Sequence, residues 1–159
     1  MGLDISAYSK CQYVGPFNEG VELEGNSIYV RADDKMNRLD GKLKGQYCFD
    51  GESVRFLAGS YSGYNIWRNQ LCCAVLGVFD KVVWASPETY MKSPFFEIIN
   101  FSDCEGGIGP ETSAKLANDF KENREKVFTK IQEKYFQEKY DAWTKAFELA
   151  ADNGFVIFH

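Results

Sequence analysis

Two short stretches and one further residue carry the side-chain types from which a site could be built. The first is Gly59-Ser60-Tyr61-Ser62-Gly63-Tyr64-Asn65-Ile66-Trp67-Arg68. Two glycines bracket two hydroxyls just ahead of a segment with helical periodicity, so the spacing predicts a small-residue loop over 59–63 that opens a helix. Backbone N–H groups at such a helix start, together with the positive end of its dipole, attract anions. Ser60, Ser62 and Asn65 would then be polar contacts, Tyr61 and Tyr64 stacking faces, and Arg68 a bidentate clamp on a phosphate. The competing structural account makes Ser62 an N-cap and sends the aromatic rings into the core. No lysine follows the second glycine, which separates the stretch from a nucleotide-hydrolase phosphate loop.

The second stretch is Asn100-Phe101-Ser102-Asp103-Cys104-Glu105-Gly106-Gly107-Ile108-Gly109-Pro110. Asn100 and Asp103 could extend a ligand site. Asp103 and Glu105 would share a face if locally extended, and paired carboxylates can act as general acid and base. The structural account has Asp103 satisfying backbone amides in a glycine-rich turn. His159 is the only histidine. It could complete an Asp103–Glu105–His159 hydrolytic set, or pair with the thiol of Cys104 or Cys11. One histidine and the adjacent Cys72-Cys73 do not suit a tetrahedral zinc site, and the oxygen ligands lack EF-hand spacing. No metal and no cofactor are expected.

The 159 residues carry 18 Lys and Arg against 23 Asp and Glu, a formal charge of −5, with no basic block. Duplex nucleic acid is therefore not an expected partner. Hydrophobic residues make up 45% and aromatics 16% of the chain, enough for a core without disulfides. Five cysteines, an odd number without CxxC spacing, read as reduced thiols in a cytoplasmic protein. No apolar run approaches membrane-spanning length, so no membrane partner is expected.

The elements that must position these residues read as one α+β domain over 1–159. An N-terminal antiparallel sheet is expected to pack against C-terminal helices, with a short terminal strand added. Ile5 to Val14 alternates as a strand, and Gly20 to Ala32 reads as a hairpin around Gly25-Asn26. Asp33 to Gly45 reads as an exposed loop. Gln46–Phe49 and Ser53–Leu57 flank Asp50-Gly51, a strong hairpin signal. Tyr64 to Val78 has helical spacing through Trp67, Leu71, Ala74, Val75 and Val78. Phe95 to Phe101 reads as a short buried strand. Pro110 and Glu111 suit the first turn of a helix. Phe136, Tyr140, Trp143, Phe147 and Ala150 form the apolar stripe of a second one, stopped by Asn153-Gly154. Phe155 to His159 is apolar enough to be the terminal strand.

Four blocks resemble a family of small phage- and prophage-encoded proteins without a settled activity. They are Met1–Tyr8, Gly59-Ser-Tyr-Ser-Gly-Tyr-Asn-x-Trp-Arg68, Asn100-Phe-Ser-Asp-Cys-Glu-Gly106 and Phe147-Glu-Leu-Ala-Ala-Asp-Asn-Gly154, spread from end to end of the chain. Ile66 and Cys72-Cys73 depart from the pattern. The resemblance implies a cytoplasmic protein made in a bacterial host cell. Small accessory phage proteins of this kind counter host defence, either by sequestering a nucleotide-type immune signal or by blocking a host defence protein. An aromatic-rich chain with a glycine–tyrosine stretch suits the first route, with a small nucleotide-like ligand at Ser60, Tyr61, Ser62, Tyr64, Asn65, Arg68, Asn100 and Asp103. The alternative is a small nucleotide or phosphoester hydrolase using Asp103, Glu105 and His159. A third reading is a virion or replication accessory protein acting through protein contacts alone. Self-association is left open.

Overall fold

The computed structural model describes residues 2–20, 25–31 and 36–159. It is the expected α+β mix, but the N-terminal strands are divided between two sheets. The alternating run from Ile5 to Val14 breaks at Ser9-Lys10, where Lys10 is left-handed at φ 54°. The break separates β1 (Gly2–Tyr8) from β2 (Cys11–Gly15). β3 (Ser27–Val30) and β4 (Gly45–Phe49) join β2 in a three-stranded antiparallel sheet of order β2-β4-β3. β5 (Ser53–Ser60), β6 (Gly106–Ile108) and β7 (Phe155–Phe158) join β1 in a four-stranded sheet of order β5-β1-β7-β6.

The hairpin expected at Asp50-Gly51 does not form, because β4 and β5 belong to different sheets. Asp50-Gly51 instead crosses from one sheet to the other beside Ser9-Lys10. Ser9 N donates to Glu52 O at 3.1 Å and Asp50 N to Lys10 O at 3.1 Å. Glu52 N donates to Ser9 Oγ at 2.9 Å. A Cβ at position 51 would lie 2.1 Å from Ser9 Oγ, so the glycine serves a close approach here and not a turn with positive φ.

β7 lies where the two sheets face each other, which explains an apolar tail with no polar alternation. Val156 and Phe158 join the core on the helix side, and Phe155 and Ile157 join Cys11, Ile28, Val30, Leu39 and Tyr47 between the sheets. The first arm of the hairpin expected around Gly25-Asn26 falls largely on 21–24, outside the described residues. Its second arm is β3, paired with β4. The loop expected over Asp33–Gly45 lies partly outside them as well. Its described part is anchored: Leu39 is buried, and the Asp40 carboxylate accepts from Thr112 N at 2.9 Å and Thr112 Oγ1 at 2.6 Å. That contact caps α5 (Pro110–Lys130), which has no side-chain cap of its own.

The helices are α1 (Tyr61–Leu76), α2 (Asp80–Ala85), α3 (Pro87–Tyr90), α4 (Phe96–Ile99), α5 and α6 (Lys134–Ala150). The expected strand over Phe95–Phe101 is instead the single turn α4. Phe95 is left-handed at φ 62°, and its N–H donates to the Asp119 carboxylate at 2.9 Å. Lys115 holds Asp119 at 2.7 Å and Glu97 at 2.6 Å. A short apolar run buries equally well as strand or helix, so its periodicity did not discriminate. The stripe Phe136, Tyr140, Trp143, Phe147 and Ala150 is fully buried. Next to it, α6 covers the open edge of β5, with Lys139 Nζ donating to Leu57 O and the Tyr135 hydroxyl 3.0 Å from where a Cβ of Gly59 would be.

Truncating Trp143 to alanine is expected to cost about 3–5 kcal/mol in chemical denaturation. Gly154→Ala should also be severely destabilising, since its Cβ would sit 1.7 Å from Tyr8 O. Gly20→Ala, whose Cβ meets nothing closer than 3.6 Å, should leave the midpoint unchanged.

Candidate functional site

The stretch expected as a loop over 59–63 is not one. β5 runs through Gly59 to Ser60, and α1 starts directly at Tyr61. Ser60, not Ser62, is the N-cap, its Oγ accepting from Gly63 N at 3.0 Å. Ser62 is exposed, with its Oγ 3.2 Å from that of Ser60. Tyr61 is half-buried against the core. Strand and helix therefore meet without a linker, and Gly59, at φ 129°, still pairs with Leu3 beside a register shift in the strand.

Tyr64 and Arg68 turn inward. Tyr64 is fully buried, stacked on Trp67 and packed against Trp143 with centroids 5.7 Å apart. Arg68 is only 2% exposed. Its guanidinium lies 5.1 Å from the ring centres of both Tyr64 and Trp84, a cation–π sandwich. Nη1 donates to Phe101 O at 2.7 Å, and Nη2 donates to Asn65 Oδ1. Asn65 Nδ2 in turn donates to Asp103 Oδ2 at 2.7 Å. The two chemistry-bearing stretches thus meet through a relay from a buried cation, across one amide, to one carboxylate. Among the described residues Arg68 Nε and the Tyr64 hydroxyl have no hydrogen-bond partner. Burial pushes the Tyr64 phenol well above its usual value, with the nearby Arg68 charge opposing.

Asp103 is engaged by Asn65, and it is Ser102 that organises the turn. Ser102 Oγ accepts from Cys104 N at 3.3 Å and Glu105 N at 3.2 Å. Glu105 and Cys104 are exposed, and Asn100 is half-buried with its carbonyl accepting from Arg38. The glycine-rich segment that follows becomes β6. Gly106, at φ 133°, leaves room for the Phe101 ring, which a Cβ would approach to 2.8 Å.

His159 makes its hydrogen bonds to β1 and not to either carboxylate. Register places Gly106 opposite Phe158, so Glu105 and His159 sit at the same end of neighbouring strands. Even so, His159 Nε2 lies 3.1 Å from Ser6 Oγ, its N–H donates to Asp4 O, and no hydrogen bond or ion pair joins it to Asp103 or Glu105. Burial lowers its pKa, Arg55 and Arg31 lower it further, and Asp4 opposes them. The Cys11 thiol, raised to about 12 chiefly by burial, is protonated at neutral pH. Sequence periodicity missed Trp84, the second face of the Arg68 sandwich, because α2 has too few turns to show a pattern.

Comparisons with protein-family models, curated proteins and solved structures returned no match. Among the described residues no group of three or more His, Cys, Asp or Glu could hold a metal ion. None of the helices they form is long and apolar enough to cross a membrane.

Arg68→Ala is expected to lower stability by about 1.5–3 kcal/mol in urea denaturation, the range for hydrogen bonds to a charged group. Ser62→Ala should be neutral. His159 gives a pH signature. Its folded pKa is depressed, so its contribution to stability is complete above the ordinary value of 6.5 and is lost as pH falls below it. His159→Gln should therefore flatten the fall in melting temperature between about pH 7 and pH 5.

Proposed function

We propose that this is a phage-encoded counter-defence protein that acts by binding, covering a surface of a host defence protein. The resemblance of its four blocks points to the origin. The observation that carries the mode of action is the set of large apolar side chains left in solvent around α2 and α3. Phe79 is 64% exposed, Val82 41%, Trp84 40% and Met91 56%. Trp84 is held rigid, its Nε1 donating to Ile99 O at 2.8 Å while its ring lies over Arg68. Ordered aromatic side chains of this kind anchor protein interfaces, and losing one typically costs more than tenfold in affinity.

The route through a nucleotide ligand at the start of α1 is less well supported. Its intended clamp, Arg68, points inward to Phe101 O and Asn65, and Tyr64 offers no accessible face. The nearby side chains that reach solvent include Glu105, which would repel a phosphate. The hydrolase alternative would need His159 to reach Asp103 or Glu105.

The reading is tested by phage plating on hosts carrying defence systems and expressing this protein. Phe79→Ser and Met91→Ser should keep the melting temperature and abolish the protection of infecting phage. Full protection by both variants would exclude this surface. Turnover of a nucleotide or phosphodiester, lost in Asp103→Asn, would favour the hydrolase.

A further inference from the structure

A second candidate site has a lining that includes neither chemistry-bearing stretch. Beside β2 and β4 is an open hollow of about 390 Å³, within the range of small-molecule sites. Its floor is Tyr13, Tyr47 and Cys11, and its walls are Lys42, Leu43 and Asn153.

Three separate parts of the chain hold this hollow in shape. Tyr13 and Tyr47 are cross-strand partners whose rings meet edge to face, 5.3 Å between centroids. Gly45, at φ 147°, lets the Tyr13 ring lie against the backbone, since a Cβ there would come within 2.8 Å of it. The Tyr47 hydroxyl donates to Leu43 O at 2.6 Å, fixing the loop that forms the wall. Lys42 Nζ donates to Asn153 Oδ1 at 3.2 Å, and Asn153 Nδ2 donates to Cys11 O at 2.8 Å. The ammonium is thus placed by a side chain that is itself anchored.

The chemistry is specific. Tyr13 stays 43% exposed and offers a flat face for stacking. Lys42 offers a positive charge with donors to spare, since an ammonium carries three. Among the described residues that line the hollow, Lys42 is the one cation. None of the described residues lining the hollow is a carboxylate, and Asp40, just before Gly41, is engaged by Thr112. We propose that this hollow binds a planar aromatic ring carrying one anionic group, the chemistry of a nucleoside monophosphate, with Tyr13 as the stacking face and Lys42 as the countercharge. The site is independent of the α2–α3 surface, so either proposal can fail alone.

Calorimetric titration of the purified protein with AMP, GMP, CMP and UMP tests it, with adenosine and inorganic phosphate as half-ligands. At least one nucleotide should bind saturably at one to one, and each half-ligand should bind about tenfold more weakly or worse. Tyr13→Ala and Lys42→Ala should each weaken binding about tenfold, and Tyr13→Phe should retain it. Both sites are solvent-facing, and an unchanged melting temperature would confirm that the variants are folded. The proposal is overturned if none of the four nucleotides binds saturably in the millimolar range. Binding that ignores both alanine variants, or that is lost in Ser62→Ala at the start of α1, overturns it equally.

Discussion

The architecture depends on one three-chain junction. Ser9-Lys10, Asp50-Gly51 and Asp152–Gly154 pass one another closely enough that positions 51 and 154 have no room for a Cβ. Lys10 N donates to Asp152 O at 2.8 Å, and Cys11 N donates to Asn153 O at 2.9 Å. Ser9 and Glu52 exchange bonds, and Asp50 N donates to Lys10 O. Backbone groups leaving the four-stranded sheet are therefore satisfied before they enter the three-stranded one, which avoids unpaired buried donors. The junction also leads directly from the end of α6 into β7 of the four-stranded sheet. The face of β7 that carries Phe155 and Ile157 packs against Cys11, Ile28, Val30, Leu39 and Tyr47.

The second constraint is the burial of Arg68. A guanidinium taken out of water is costly unless its donors are met. Here two aromatic faces, a carbonyl and an amide surround it, and the nearest compensating carboxylate, Asp103, acts through Asn65. The arrangement ties the turn after α4 to the first turns of α1 and, through Phe101 on Phe158, to the end of β7. It also explains why residues with ligand-binding chemistry face one another instead of solvent. Reaching solvent instead are the apolar side chains around α2 and α3 and an aromatic hollow lined by Lys42. Both are compatible with a protein that works by contact, and neither requires the carboxylates.

Much of the helical half was legible in the residues themselves. The four-three stepping of Phe136, Tyr140, Trp143 and Phe147 admits one buried face, and these four are fully buried. Pro110 and Glu111 open α5 as their backbone and charge preferences require. The terminal strand was equally plain, since five residues as apolar as Phe155–Phe158 with His159 cannot remain in solvent without cost.

The rest was decided by partners distant in sequence. Asp50-Gly51 has the composition of a hairpin turn, yet its glycine is needed for the approach of Ser9, which no local pattern reveals. Gly59 to Gly63 has the composition of a loop, yet a strand and a helix meet there. Phe96 to Ile99 form a helical turn beside Phe95, whose N–H donates to the Asp119 carboxylate of α5, itself paired with Lys115. Arg68 carries the same chemistry as a phosphate clamp or as a core strut. Local sequence determined the residue types and the periodic faces, because those follow from backbone preference and hydrophobic spacing. Only the tertiary structure decided which polar groups face solvent, because burial and hydrogen-bond partners depend on contacts between segments far apart in the chain.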